Sequence, residues 1–150
     1  MFLIFVNRKT KLMTDVHNKK TRSYNMSMIR SKDTKPEIIV RKFLFGNGFR
    51  YKLHDKMLPG KPDLVFPKYK TVVFIHGCFW HGHEGCKYFV VPKTRKKWWL
   101  EKINRNKQLD TENFRKLKKL GWKILTVFEC KLKPVNEEKT LNQLATRLTE

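Results

Sequence analysis

The chain has 150 residues, enough for one domain with a single sizeable core, and no linker or internal repeat divides it. Its 34 Lys and Arg against 13 Asp and Glu give a net charge of +21, which predicts a polyanionic partner, most often a nucleic acid, while leaving DNA, RNA and an acidic membrane open. Three cysteines argue against a secreted disulfide framework and favour a cytoplasmic protein, and the apolar opening M-F-L-I-F-V is too short for a signal peptide or a membrane span.

The first predicted elements are a basic arm and a helix. Residues 15–32 are basic and polar around a small apolar cluster, and they form either a solvated arm or an arm that orders along a nucleic acid backbone. The run T-K-P-E at residues 34–37 is a capping box with proline in the first turn, so a helix begins there and its apolar spacing continues to Leu44. Glu37 stands at its start, where a carboxylate caps the helix and complements its dipole.

Three strands are expected next. In residues 49–53, apolar and basic side chains alternate as in a half-exposed strand. Asp63 heads a second, apolar strand, and residues 71–75 return from a turn at Pro67 as the third. This hairpin places Asp63 near one end of the pair and His76 at the end of the partner strand. Asp63 is therefore either a turn cap or a hard oxygen ligand for Mg²⁺.

Chemistry is concentrated in the loop after the third strand, which reads H-G-C-F-W-H-G-H-E-G-C over residues 76–86. Cys78, His83 and Cys86 have the close spacing at which one loop presents two thiolates and an imidazole to zinc. Cys130, the only other cysteine, would complete a closed Cys3His site, which is structural because no position stays open for water. The alternative is three buried free cysteines.

Two histidines of this loop lie outside the predicted metal site. If that site is closed, catalysis must depend on other groups. His76 and His81 are either histidines of the core or, because imidazole exchanges protons near neutral pH, the general acid and base of a reaction.

The second half of the chain is predicted as helix, strand and helix. Seven basic residues surround Trp98 and Trp99 in residues 93–107, and an apolar stripe continues through a long helix that stops at Gly121. The two tryptophans cannot both point inward, so one faces the basic surface. A strand over residues 122–128 and a C-terminal amphipathic helix complete the order α, β, β, β, α, β, α.

This order, with an acidic residue on the second strand, resembles the restriction-endonuclease fold. Pro62-Asp63 matches the first half of the PD-(D/E)xK signature, whereas F-I-H at residues 74–76 stands where E-x-K would lie. In that departure the chain closely resembles the very short patch repair endonucleases of bacteria, as it also does in the motifs H-G-C-F-W-H-x-H and F-E-C. The likeness covers about residues 15–132 and includes T-R-S-x-N-M, L-P-G-K-P-D, W-L-E-K-I and L-G-W-K-I-L. It implies a three-layer α/β/α protein of the PD-(D/E)xK superfamily with a central mixed sheet and a structural zinc site.

The activity that this resemblance implies is Mg²⁺-dependent nicking of one DNA strand beside a T·G mismatch left by deamination of 5-methylcytosine. Asp63 would bind Mg²⁺ together with the backbone carbonyl of Ile75, and Glu37 would hold waters around the metals. His81 would activate the attacking water, and Asp110 would pair with His81 and orient it.

The resemblance also assigns the remaining site residues. His76 would stabilise or protonate at the scissile phosphate. The ligands of the family's structural zinc site match Cys78, His83, Cys86 and Cys130. Phe79, Trp80 and Trp99 resemble the family's aromatic wedge, which enters the duplex beside the mismatch from the major groove. Met26 and Ile29 would lie on the minor-groove side.

From these features we expect a flexible basic extension over residues 1–20 and one nuclease domain over residues 21–150, in which residues 21–32 form a DNA-contacting arm. The implied partner is double-stranded DNA with a T·G mismatch. Other mismatch-repair proteins are candidate partners, and we expect a monomer that does not bind membranes.

Two departures from the family and two other functions remain open. Ile75 replaces a threonine, which leaves the backbone ligand intact, and the loop has one extra residue before Cys86, which a glycine-containing loop should absorb.

A restriction-type or mobile-element nuclease of the same fold would cut without regard to mismatch. A non-catalytic, zinc-stabilised DNA-binding module would use Asp63 and His81 only structurally.

Overall fold

The computed structural model describes residues 18–150 of the chain. In chain order its helices and strands are α1 (Lys19–Ser27), α2 (Lys35–Gly46), β1 (Lys52–Leu53), β2 (Leu64–Phe66), β3 (Thr71–His76), α3 (Lys96–Lys119), β4 (Lys123–Phe128) and α4 (Glu137–Thr149). The predicted order is thus present, and it is preceded by one further helix, α1.

A four-stranded sheet in the order β1-β2-β3-β4 forms the centre of the protein. β2 pairs antiparallel with both β1 and β3, and β4 lies parallel to β3 because α3 carries the chain back between them. His76 lies opposite Phe128 at the last step of the parallel pair. The C-terminal ends of β3 and β4 therefore meet at one edge of the sheet, where both chain segments continue into the candidate site.

Apolar side chains alternate between the two faces of the sheet, and helices cover both faces. On one face, α2 and α4 pack over Leu64, Phe66 and Leu125. On the other face, α3 places Leu117 against Val72. The result is the predicted three-layer α/β/α arrangement around a mixed sheet.

The first strand is shorter than predicted. Only Lys52 and Leu53 pair with β2, and Leu53 remains 45% exposed. Phe49 and Tyr51 still point inward, where their rings meet Phe66 edge-on. The alternation therefore identified the inward side for Phe49 and Tyr51 but not for Leu53, and β2, with only three residues, offers a short ladder to pair with.

The start of α2 departs from the predicted capping box. Thr34 makes no side-chain bond to the helix backbone. Its hydroxyl instead donates to Oε1 of Glu37 at 3.0 Å, and Oε2 of Glu37 accepts the N–H of Asp33 at 2.9 Å. Glu37 is therefore buried and fixed by the residues that precede its own helix.

The segment predicted as a basic arm contains α1, a helix with no buried residue. Asn18 caps it by accepting the Thr21 N–H at 2.8 Å. The extension predicted over residues 1–20 lies outside the described residues except for its last three, two of which begin α1. Within residues 18–150, no helix combines the length and the apolar character that crossing a bilayer requires.

Candidate active site

Asp63 immediately precedes β2, and its carboxylate crosses the hairpin to the end of β3. Its Oδ2 accepts a 2.7 Å hydrogen bond from the Ile75 N–H. Because the N–H and C=O of one strand residue point to the same edge, the Ile75 carbonyl points to this side as well. Burial raises the pKa of Asp63 to about 6, and the negative charge of Glu37 adds to the rise. A carboxylate in these surroundings is stabilised by a cation, so this pair of oxygen donors fits a hard ion such as Mg²⁺.

A histidine–aspartate pair lies in the loop beyond β3. The rings of His76 and His81 stack with centroids 3.6 Å apart, and Nδ1 of His81 lies 2.6 Å from Oδ2 of Asp110 on α3. Because an ionised carboxylate can only accept, Nδ1 carries the proton and Nε2 of the neutral ring keeps its lone pair. His81 therefore has the geometry of a general base oriented by a carboxylate.

His76 is in more apolar surroundings than His81. It is only 5% exposed, and the rings of Phe74 and Phe128 contact it edge-on. Burial, followed by the neighbouring His81, lowers the pKa of His76 to about 4. At neutral pH its imidazole is therefore uncharged and can donate one N–H hydrogen bond.

These groups line one open cleft of about 790 Å³. The predicted site residues on its walls are Ile29, Glu37, Asp63, Ile75, His76, Trp80, His81 and Asp110. Lys32, Lys56 and Lys61 also line it, and their ammonium groups can contact the phosphates of a nucleic acid backbone. All five predicted catalytic residues thus share one space.

The cleft wall contains further polar residues that sequence analysis missed. His54 lines the cleft with Nδ1 3.9 Å from Oδ1 of Asp63. Nη2 of Arg41 lies 2.9 Å from Nε2 of His54 and 2.8 Å from Oε2 of Glu37. Only the Glu37–Arg41 pair has a sequence signal, its i,i+4 spacing on a helix. His54 joins the group only through the fold.

The structure brings the four predicted metal ligands together. The ligand atoms of Cys78, His83, Cys86 and Cys130 lie within 4.8 Å of one another. The His83 ring stacks on Phe128 at 3.8 Å, and Nδ1 of His83 is 3.5 Å from the Cys130 sulfur. Burial raises the pKa of the Cys78 thiol to about 12, so a bound cation would have to displace its proton. Three thiols and an imidazole at these separations fit a tetrahedral ion.

Two glycines and one asparagine shape the loop between these groups. Gly82 has φ +57°, and a Cβ there would lie 2.9 Å from Cγ2 of Ile103 on α3. Gly85 has φ +72° with open space around it, so the longer loop turns there without crowding. Asn106 donates to the carbonyl of Trp80 at 2.9 Å and ties the loop to α3.

The predicted wedge residues form an aromatic cluster. The ring of Phe79 lies 5.1 Å from that of Trp80 and 5.3 Å from that of Trp99. Trp98 is 41% exposed, with the Lys102 ammonium 4.9 Å from its ring. One of the two adjacent tryptophans thus faces the basic surface, as predicted.

The two predicted arm residues differ in position. Ile29 is 51% exposed and lines the cleft. Met26 is 45% exposed on α1 and is not among the described residues that line the cleft.

Comparison with known proteins is consistent with this geometry. The family model for the DNA mismatch endonuclease Vsr matches residues 14–87. The chain is 54% identical over 121 residues to a type II nicking enzyme, V.NmeAIP, of Neisseria meningitidis, which covers 81% of this chain and 86% of that relative. It is 45% identical over 138 residues to the DNA mismatch endonuclease Vsr of Escherichia coli, covering 92% of this chain and 87% of the relative. A type II nicking enzyme of Xanthomonas oryzae, V.XorIIP, is 45% identical over 120 residues, 80% of this chain and 88% of its own.

All three relatives are at least 45% identical to the chain, and the matches cover more than four fifths of each relative's own length. The chain therefore belongs to the Vsr family of DNA mismatch endonucleases.

Proposed function

We propose that this protein is a Mg²⁺-dependent endonuclease that nicks one strand of duplex DNA beside a T·G mismatch, on a PD-(D/E)xK scaffold braced by zinc. Membership of the family makes it a DNA-nicking endonuclease. The mismatch, the metals and the roles of the residues are the proposal. The observation that carries it is the 2.6 Å pair of His81 and Asp110, which lines the same cleft as Asp63.

The metal site proposed for Mg²⁺ consists of Asp63 and the carbonyl of Ile75, with Glu37 holding metal-bound water. When bound, the ion supplies positive charge to the phosphate oxygens and the attacking water. The support is the chemistry of the oxygen donors. The Asp63 carboxylate is largely buried, and burial together with the nearby Glu37 carboxylate raises its pKa to about 6.

The proposed proton transfer starts at His81. Its Nε2 takes a proton from the attacking water while the water oxygen bonds to phosphorus, and Asp110 stabilises the imidazolium that forms. The bond from phosphorus to the leaving oxygen breaks in the same displacement. His76 faces the same cleft and stabilises the scissile phosphate through its ring N–H.

For the cysteine–histidine cluster we propose zinc. Thiolate and imidazole are the ligands that zinc prefers, whereas Mg²⁺ prefers oxygen. Four protein ligands leave no position for water, so this ion would brace the ends of β3 and β4 without taking part in hydrolysis.

For mismatch recognition we propose intercalation. Aromatic planes replace base stacking most cheaply at a weakened pair. The rings of Phe79, Trp80 and Trp99 contact one another, and Trp80 lines the cleft. Residues 21–32 would contact the opposite groove. We expect a monomer acting on DNA in the cytoplasm, with other mismatch-repair proteins as candidate partners.

The test is a nicking assay on labelled duplexes that carry T·G, C·G or A·T at one position. With Mg²⁺ we expect one break beside the T of the T·G duplex and none in the paired duplexes. EDTA and the variant Asp63→Ala should each abolish the break. Full activity of Asp63→Ala would instead support the non-catalytic binding module.

A second candidate is a nuclease of the same fold that cuts without regard to mismatch. Two of the relatives are named type II nicking enzymes, a name that states nicking and no mismatch. Equal nicking of the C·G and T·G duplexes would establish it and remove the mismatch from the proposal.

A further inference from the structure

A group of three residues at the edge of the cleft, two of which line it, has the spacing of a metal site. One ligand atom each from Asp33, Glu37 and His54 lies within 4.8 Å of the other two. Glu37 and His54 line the same cleft as Asp63. Two carboxylates and an imidazole at this spacing would attract a divalent cation.

A positive charge of the protein itself already lies among these three ligands. Nη1 of Arg41 is 2.6 Å from Oδ1 of Asp33, and Nη2 is 2.8 Å from Oε2 of Glu37. The same Nη2 is 2.9 Å from Nε2 of His54. The guanidinium therefore contacts all three potential ligands, and because it is always protonated it is a permanent cation at this place.

The surroundings of Arg41 fix it in position. Its side chain is only 13% exposed, that of Glu37 is 5% exposed, and the Tyr51 hydroxyl donates to the Arg41 carbonyl at 3.0 Å. Nε of Arg41 is buried without a hydrogen-bond partner among the described residues. A buried N–H without a partner costs free energy. The two contacts of the guanidinium to the carboxylates of Asp33 and Glu37 offset this cost and hold the side chain in place.

His54 extends the same network to the proposed Mg²⁺ ligand. Arginine can only donate, so Nε2 of His54 accepts and the ring carries its proton on Nδ1. That Nδ1 lies 3.9 Å from Oδ1 of Asp63. The backbone of His54 has φ +45°, and its N–H donates to the Asp63 carbonyl at 3.2 Å, so the ring has little freedom to turn away.

We propose that Arg41 is a positioning residue whose guanidinium occupies the cluster of Asp33, Glu37 and His54 as a fixed cation. It holds the Glu37 carboxylate beside the Asp63 site and keeps a divalent ion out of the cluster of Asp33, Glu37 and His54. This inference rests on the proposed function, because it concerns the wall of the proposed Mg²⁺ site.

The experiment counts divalent ions rather than turnover. Mn²⁺ is titrated into the full-length, zinc-loaded protein, and free Mn²⁺ is measured by electron paramagnetic resonance. Arg41→Ala should bind one Mn²⁺ per chain more than wild type, because the cluster of Asp33, Glu37 and His54 is then free of the guanidinium. Arg41→Lys keeps the charge and should not gain an ion. Lys42→Ala, which removes a neighbouring charge from the exposed face of α2, should match wild type.

Arg41→Gln serves as the second uncharged variant if Arg41→Ala does not fold, as judged by circular dichroism. The inference is overturned if the uncharged variant that folds binds the same number of ions as wild type, or if Lys42→Ala gains an ion equally. Failure of the proposed Mg²⁺ site has a different signature. Wild type and Asp63→Asn would then bind equal numbers of Mn²⁺, whatever the Arg41 variants do.

Discussion

Oδ2 of Asp110 lies 2.6 Å from Nδ1 of His81, although the two residues are 29 positions apart in the chain. Neither residue alone identifies a base, because an imidazole without a partner can turn or adopt the other tautomer. The pairing leaves Nε2 as the atom that can accept a proton in the cleft.

Asp110→Asn should therefore lower the nicking rate by about 10²–10⁴-fold, the usual contribution of a positioned general base. DNA affinity should remain close to that of wild type. Glu112→Gln removes the same charge from an exposed position of α3 and is the matched control. Comparable loss in both variants would show that the effect is one of net charge.

Asp63 should destabilise the metal-free fold at neutral pH. Because its pKa rises from 3.8 to about 6 on folding, the folded state binds the proton more tightly and stability falls as pH rises through that interval. Asp63→Asn should therefore raise the free energy of unfolding above pH 6 by at most about 3 kcal/mol. The two proteins should converge below pH 4.

The measurement is urea unfolding at several pH values in the presence of EDTA. Mg²⁺ should stabilise wild type and leave Asp63→Asn unchanged, because the variant lacks the charged ligand of the proposed site. Equal stabilisation of both proteins by Mg²⁺ would contradict this assignment.

Cys130→Ala should lose bound metal and unfold the domain rather than only slow the reaction. Binding of a structural ion is coupled to folding, and this residue is the ligand that joins the loop after β3 to the end of β4. Zinc content and the melting temperature measure the effect. His81→Ala is the control, since it should keep its zinc and bind DNA without cutting it.

Trp99→Ala should weaken binding to a T·G duplex more than binding to a paired duplex. Loss of one stacking plane typically costs about 1–3 kcal/mol. Trp98→Ala, at the exposed neighbouring position, should weaken both complexes alike because its ring faces the basic surface. Fluorescence anisotropy with both duplexes compares the variants, and identical profiles would remove Trp99 from the wedge.

Gly82→Ala should destabilise the protein more than Gly85→Ala. Both glycines have positive φ, so both substitutions carry a backbone cost of about 1 kcal/mol. Only at Gly82 does the new Cβ also meet Ile103 at 2.9 Å, which forces the loop away from α3. Nicking should fall with stability in Gly82→Ala, because His81 is the preceding residue. A smaller loss at Gly82 than at Gly85 would contradict the crowding described here.

The sequence was sufficient for the order of the elements and for the grouping of the cysteines. Buried strands, helix stops and ligand spacing are local signals, so β3, α3 and the loop of Cys78 could be predicted directly. The hairpin predicted that Asp63 lies near one end of the strand pair, and the family resemblance added Ile75 as its neighbour.

The remainder of the cleft depends on contacts between distant segments. Arg41 and His54 meet only when α2 packs beside the start of β2, and nothing in the residues around His54 indicates a partner thirteen positions earlier. The shortened β1 has a similar origin, because alternation shows which side chains face inward but not how many residues the neighbouring strand can pair.

The parallel pairing of β3 and β4 also determines when a newly made chain becomes a nuclease. Cys78, His83 and Cys86 are synthesised well before Cys130, which follows β4. Until β4 has been made, the edge of β3 that includes His76 has no strand to pair with. A polypeptide terminated early, before residue 130, would carry the aspartates and histidines of the cleft without the framework that aligns them. Incomplete products of translation should therefore leave the chromosome uncut.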